Sequence, residues 1–183
     1  MTRVLYAILF GLVLGGVIHI VAVLGLPRVA ENDAWARIAA LGPDQAFNPI
    51  PRPGPGVDTL PLIDPAFAEF ACRFRLDDNP VRIRATLPDL YWSIAVFNGR
   101  GVNAYNLNDR SVGQKPVDIL IASQDQIADI RDNPPADFND TIIVDWASAR
   151  GFAIIRVFAP TPADTRDAEL AIQKATCAPY PLG

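Results

Sequence analysis

The chain has 183 residues, 20 of them acidic and 16 basic, for a net charge of −4. Such a balance argues against nucleic acid as a partner, because phosphate contacts need clustered cations. The single histidine, His19, lies inside a long apolar run. No Ser-His-Asp or Cys-His arrangement can therefore form elsewhere, and two cysteines without histidine exclude an ordinary zinc site.

The apolar run, Val4 to Leu26, holds 23 residues without Asp, Glu, Lys or Arg. A helix of that length crosses a hydrocarbon core of roughly 30 Å. Residues 1–3 form a short tail carrying Arg3 and the N-terminal amine, which favours a cytoplasmic N-terminus with the bulk of the chain outside. Residues 4–26 are then an uncleaved transmembrane signal anchor in a bilayer. The rival reading is a cleaved signal peptide, but its apolar region has only about 7–15 residues. The best cleavage site, Val23-Leu24-Gly25, is poor. On either reading the remainder is exported.

Within the run, Ala7, Gly11, Gly15 and His19 recur every four residues and so share one side of a helix. Gly11 and Gly15 make a small-xxx-small pair that lets backbones approach closely, and a polar side chain in a bilayer faces a partner or water. The expectation is a helix-association face, for a second copy or another protein. The plainer alternative is that glycines are common in membrane helices.

After the anchor come residues 27–66, a juxtamembrane helix followed by a Pro-rich linker. Asn32 to Leu41 has Asn32 as N-cap and Gly42-Pro43 as stop. Trp35 either sits at headgroup level or packs on the domain. Pro43 to Pro65 holds seven prolines. It cannot form a central strand and reads as an extended spacer of up to roughly 70 Å. The alternative is that it wraps the domain through Phe47, Ile50, Leu60, Leu62 and Ile63.

From residue 67 to 183 the pattern is β. In EFACRFRL, Phe70, Cys72, Phe74 and Leu76 alternate with Glu69, Ala71, Arg73 and Arg75. Asp77-Asp78-Asn79-Pro80 turns into VRIRAT, with Val81, Ile83 and Ala85 inward and Arg82, Arg84 and Thr86 outward. Together these read as a hairpin whose outer face carries Arg73, Arg75, Arg82 and Arg84. A second hairpin joins YWSIAVFN to VNAYNLND through Asn98-Gly99-Arg100-Gly101. VDILIAS is a buried strand. Ser123 caps a helix to Arg131 with Gln126 in capping-box position. TIIVDWA and GFAIIRVF are further strands, and Thr161-Pro162 opens a helix to Ala175 with Asp164 three residues on. The count is about seven strands and two short helices without a parallel βαβ rhythm. The predicted fold is mainly β: an N-terminal transmembrane helix followed by an antiparallel β-sandwich or jelly-roll-like domain. Cys72 and Cys177 both fall in the exported part, where a disulfide is the natural reading; the alternative is two buried thiols that do not meet.

The run YWSIAVFNGRGVNAYNLNDR, Tyr91 to Arg110, with FACRFRL before it and a C-terminal strand pair after it, resembles the family of domain of unknown function 1254, in small alphaproteobacterial single-pass membrane proteins. The resemblance covers Phe67 to Ala175. It implies an antiparallel β-rich fold and a frequent companion domain, of unknown function 1214, absent from this chain. A separate companion protein is the partner this points to. The family supplies no catalytic residues, so none are assigned.

No phosphate loop or dinucleotide fingerprint occurs, and neither cofactor nor metal is expected. Ser111 and Lys115 are four apart, not at Ser-x-x-Lys spacing. Carboxylates are plentiful at Asp77, Asp78, Asp89, Asp109, Asp140 and Asp145, but a glycosidase needs two held about 5–10 Å apart. The best candidate binding surface is the second hairpin: Tyr91, Trp92, Asn98, Asn103, Tyr105, Asn106, Asn108, Asp109 and Arg110. Aromatic rings beside amides suit sugars or peptides, although strands and turns favour the same residue types. The expected protein is a bacterial inner-membrane, single-pass accessory with its C-terminal domain in the periplasm, binding or scaffolding without catalysis. The alternative is a carboxylate-dependent periplasmic hydrolase of envelope glycans.

Overall fold

The computed structural model describes residues 2–182 apart from 58, 61, 62, 114 and 139, with backbone alone for 27–33. Leu62 therefore lies outside the described residues. Helix α1 runs unbroken from Thr2 to Ala39. No separate juxtamembrane helix starts at Asn32, because its backbone lies inside α1. The stretch Thr2–Leu26 is long and apolar enough to cross a membrane.

Among the described residues nine strands follow: β1 (Phe47–Ile50), β2 (Phe67–Arg75), β3 (Val81–Ala85), β4 (Trp92–Asn98), β5 (Asn103–Asn108), β6 (Val117–Ala122), β7 (Ile142–Asp145), β8 (Arg150–Phe158) and β9 (Thr176–Pro179). Three helices lie among them: α2 (Asp109–Val112), α3 (Gln124–Asp132) and α4 (Pro162–Gln173). A five-stranded sheet has the order β1-β2-β8-β4-β5, and a four-stranded sheet the order β7-β6-β3-β9. The two close over one core that includes Phe74, Val96, Ile94 and Ile155 from the first and Val81, Ile83, Ile119 and Ile121 from the second. The architecture is the expected β-sandwich.

Three expectations fail in informative ways. β2 and β3 are not a hairpin: β2 pairs with β1 and β8, while β3 pairs with β6 and β9 in the opposite sheet. The Asp77–Pro80 turn carries the chain across the sandwich, so the four arginines do not share a face. A parallel βαβ unit is present, because β6 and β7 run parallel with α3 between them. Finally, Arg82 faces outward as expected, yet it is buried, at 5 % exposure, rather than solvated.

The Pro-rich segment wraps the domain. β1 lies within it as an edge strand, where Pro49 is tolerated because an edge leaves one ladder unpaired. The end of α1 packs on the outer face of the five-stranded sheet, where Ile38 is buried with Ile50, Ala71 and Phe152. This cover explains why Ala71, an outward position of β2, is buried; Glu69, outward too, is buried and accepts from Arg156 Nε at 2.8 Å. Trp35 packs on the domain, with the guanidinium carbons of Arg73 and Arg150 4.8 and 5.2 Å from its ring centroid. Cys72 on β2 and Cys177 on β9 are disulfide-bonded, Cα to Cα 6.5 Å, and tie one sheet to the other. Both capping boxes form, at Ser123/Gln126 and Thr161/Asp164.

Candidate functional site

The β4–β5 hairpin is built by its turn. Asn98 Oδ1 accepts from the backbone N–H of Arg100 at 3.0 Å and of Val102 at 3.1 Å, and Gly101 takes φ 81°. A positive φ of that kind suits glycine. β5 then returns as an edge strand. Asn103 and Asn106 are exposed along it, whereas Tyr105 is half-buried against the core. Asn108 is committed locally: its Oδ1 accepts from the backbone N–H and hydroxyl of Ser111, at 3.1 and 2.9 Å, capping α2. Arg110 is exposed on that one-turn helix.

These residues do not form one surface. Tyr91, Trp92 and Asp109 line an open cleft of about 590 Å³ together with Leu87, Asp89 and Lys115. Asn98 lies at the other end of β4, six residues from Trp92, which is roughly 20 Å along a strand. Within the cleft Trp92 is 5 % exposed and belongs to the core, so Tyr91, at 44 %, is the exposed ring of the two. Phe67 meets Tyr91 edge-on at 6.2 Å between centroids. Asp109 Oδ1 is buried without a hydrogen-bond partner among the described residues. A buried acceptor left unmade is costly, so this oxygen favours a ligand that donates. Lys115 pairs with Asp140 at 3.1 Å, so Ser111 and Lys115 serve separate partners. Asp89 and Lys115 carry no periodic or motif signal in sequence; only the fold brings them beside Asp109.

The densest charged cluster lies on the outer face of the other sheet. Arg82 donates to both carboxylate oxygens of Asp118, at 2.8 and 2.7 Å, to Asp137, and to Thr141 Oγ1 at 3.1 Å. Its guanidinium also lies over the rings of Phe138 and Tyr180, at 4.7 and 5.1 Å. Burial alone would raise the Asp118 carboxyl; the hydrogen bonds and charge of Arg82 outweigh it and hold the group below its ordinary value. Hydrogen bonding to Arg82 does the same for Asp137. Every partner is satisfied from within, which marks a structural network rather than a ligand site. Asp77 is likewise engaged, by Arg75 at 2.6 Å.

Ala7, Gly11, Gly15 and His19 are exposed on α1, and a Cβ placed on Gly11 or Gly15 would meet nothing within 4 Å. Among the described residues no three His, Cys, Asp or Glu side chains gather as metal ligands.

Residues 66–179 match the family described as protein of unknown function DUF1254. The chain belongs to the DUF1254 family. No curated protein matches this DUF1254 chain. Among solved structures it is similar to the VPA0106 protein from Vibrio parahaemolyticus, at 16 % identity and a TM-score of 0.60, over 82 % of this chain and 35 % of that one. A putative uncharacterised protein from Burkholderia cenocepacia aligns at 16 % identity and a TM-score of 0.41, over 62 % of this chain and 32 % of that one. The first likeness supports the fold. The DUF1254 chain thus spans about a third of each neighbour's length.

Proposed function

We propose that this chain is a membrane-tethered binding or scaffolding module of the bacterial cell envelope, without catalysis of its own. The observation that carries the reading is α1: its apolar half is long enough to span a bilayer, and its other end continues as helix into the sheet, where Ile38 is buried. A helix so built suits an uncleaved inner-membrane anchor with residues 1–3 cytoplasmic and the sandwich in the periplasm. The Cys72–Cys177 bond supports an oxidising compartment. The partners proposed are the bilayer, a companion protein of the domain of unknown function 1214 family, and a second copy through Ala7, Gly11, Gly15 and His19. The Tyr91–Asp109 cleft is the proposed recognition surface, with a donor-rich sugar or peptide as ligand.

Crosslinking of the full chain in native membranes, followed by pull-down, tests this. Specific recovery of the companion protein is expected to be lost on Tyr91→Ala. Recovery unchanged by that substitution removes the cleft from the reading, and no specific partner in intact membranes overturns it. Gly15→Leu should weaken self-association in a membrane two-hybrid assay. A second reading, the glycan hydrolase, has one observation in its favour, that Asp89 and Asp109 line the same cleft. Release of fragments from envelope glycans by the wild type but not by Asp109→Asn would establish it; no release by the wild type rejects it.

A further inference from the structure

The sandwich is closed along one side and open along the other. On the closed side the Cys72–Cys177 bond joins β2 to β9, and α4 lies against β2 with Ala168 and Ile172 in the core. With β2 over β9, the strand orders bring β5 and β7 together as the edges of the opposite side. There Tyr105 of β5, Val112 of α2 and Ile142 of β7 are only partly buried against the core.

Among the described residues the sheets have four edges, and these are guarded unequally. β1, β7 and β9 have four residues each; β1 carries Pro49, β9 Pro179 and β7 Asp145. Shortness, proline and charge are the usual guards of an unpaired ladder. β5 has six residues, Asn-Ala-Tyr-Asn-Leu-Asn, with neither charge nor proline. Among the described residues it pairs with β4 alone, and Asn103, Ala104 and Asn106 are exposed. A bulge at Ala104 marks its turn end, because Tyr105 faces Val96 while Asn103 faces Phe97. From Tyr105 to Asn108 the ladder is regular, with Tyr105 and Leu107 towards the core and Asn106 outward. The Asn108 end meets the Tyr91–Asp109 cleft, since Asp109 is the next residue. Asp109 Oδ1 is the buried acceptor without a partner. A free ladder and an unmet acceptor therefore lie end to end. An unpaired ladder is matched by an extended main chain, which a peptide has and a sugar lacks.

We propose that β5 takes a strand from a partner polypeptide: an extended segment pairs along Tyr105–Asn108 as a sixth strand of the sheet, and a lysine or arginine of that segment donates to Asp109 in the cleft. The proposal rests on the reading of the Tyr91–Asp109 cleft as the recognition surface, and it assigns that cleft a peptide rather than a sugar. Main-chain bonds supply affinity that is indifferent to sequence, and alternate side chains supply specificity. On the core side the added strand lies beside Tyr105 and Leu107, which suits apolar residues. On the other side it lies beside Asn106, which suits polar ones.

Random linear peptides of strand length, displayed on phage, would be selected on the full chain in nanodiscs. Alternating apolar and polar residues with a Lys or Arg are expected among those enriched. Each enriched peptide is then synthesised with its main-chain nitrogens methylated at one alternate set of residues or at the other. Strand addition uses the N–H groups of one set only, because successive N–H groups point to opposite sides of a strand. Methylation of that set should lower affinity roughly tenfold or more, and methylation of the other should leave most of it. Equal effects of the two sets overturn strand addition. Asp109→Asn should weaken the peptides with a basic residue roughly tenfold and spare their alanine counterparts; unchanged affinity overturns the contact with Asp109. Tyr91→Ala separates failure of the strand from failure of the cleft. Binding lost on Tyr91→Ala without a difference between the methylated sets keeps the cleft and refutes the strand. A difference untouched by Tyr91→Ala or Asp109→Asn refutes the cleft as the recognition surface, and the Asp109 contact with it. No enriched peptide refutes the peptide as ligand. Disulfide-linked dimers of Asn106→Cys chains in the same discs make a second copy the strand donor and refute a separate partner.

Discussion

Arg82→Met isolates the electrostatics of the outer cluster. The arginine side chain is 6 % exposed and that of Asp118 19 %. Removing one partner of a buried pair costs about 3–5 kcal/mol because the other charge stays buried and unmatched. Arg84 moderates this, since it keeps contact with Asp118 at 3.3 Å and Asp137 at 2.9 Å. Methionine fills the space between Phe138 and Tyr180, so a cavity adds little, and the expected loss at pH 7 is about 2–4 kcal/mol. Its pH dependence is the sharper test. In the wild type, Asp118 sits below its ordinary value. Its contribution is therefore present above the unfolded value of about 3.9 and is lost as pH falls through the folded one. Without Arg82, burial dominates and raises the carboxyl, so the variant regains relative stability as that carboxyl takes up a proton. The gap between the two proteins should be widest near neutral pH and should narrow below about pH 5. Urea unfolding of the full chain in detergent, followed by tryptophan fluorescence across that range, measures it. A loss under about 1 kcal/mol, or a gap constant with pH, refutes the reasoning. Adding Asp118→Leu to Arg82→Met should recover most of the loss.

Replacing both Cys72 and Cys177 with Ser opens a link across a sequence separation of 105. It should lower stability by about 4–5 kcal/mol on the chain-entropy account, read as a lower urea midpoint that equals that of the reduced wild type. Gly151→Ala should destabilise by at least ~1–3 kcal/mol through overpacking. A Cβ there would stand 2.7 Å from the Phe74 ring, the Phe97 carbonyl oxygen and the Trp146 ring; thermal unfolding unchanged from wild type would contradict this. Burial pushes the Glu69 carboxyl above its ordinary value against the opposing pull of Arg156. Its contribution is thus full below about pH 4.3 and is lost as pH rises through the folded value. Glu69→Gln should remove that fall between pH 4 and 7 in thermal melts, and a fall that persists would point to another group.

Local signals were legible wherever the chain's own neighbours decide the structure. Asn98-Gly99 marks its hairpin because the turn residues and the flanking strands are contiguous. Ser123 and Thr161 mark their helices because a cap is satisfied within three residues. Non-local partners were not legible. The alternation in β2 and β3 is the same whether the strands pair with each other or face each other across a core. Periodicity therefore could not reveal that Asp77–Pro80 is a crossing rather than a hairpin turn. Nor does alternation say what covers an outward face. Arg82 is outward as its position requires, yet Phe138 and Tyr180 lie against it. Ala71 is outward too, yet it lies beneath Ile38 and Ile50. The expected site residues follow the same rule. Asn98 and Asn108 are spent on the turn and the cap that their residue type predicts, and Asp109 gains its setting from Asp89 and Lys115, which only the fold supplies.

The fate of the Pro-rich segment changes what the proposed tether can do. As a free spacer, Pro43 to Pro65 would let the domain roam up to roughly 70 Å from its anchor. Instead Phe47–Ile50 pairs with β2, Arg52 donates to the Ala159 carbonyl at 3.3 Å, and Leu60 and Ile63 pack beside Ile38. The segment is consumed in covering the sheet. With α1 in a bilayer, as proposed, the domain is mounted on a helix rather than tied by a string. Its height is then bounded by the helix from Leu26 to Ala34, which meets the β4–β5 turn at Gly101 after about 12 Å, and by the roughly 20 Å of strand between that turn and the Tyr91–Asp109 cleft. A partner at the Tyr91–Asp109 cleft must reach to within about 30–40 Å of the membrane surface, by the same two rises. Membrane-bound or membrane-proximal partners satisfy that constraint at once, whereas a soluble one must approach the bilayer to meet it. Inserting a flexible Gly/Ser segment after Leu26 would separate the two situations. Partner recovery that falls with insert length requires the fixed height, and recovery indifferent to it does not.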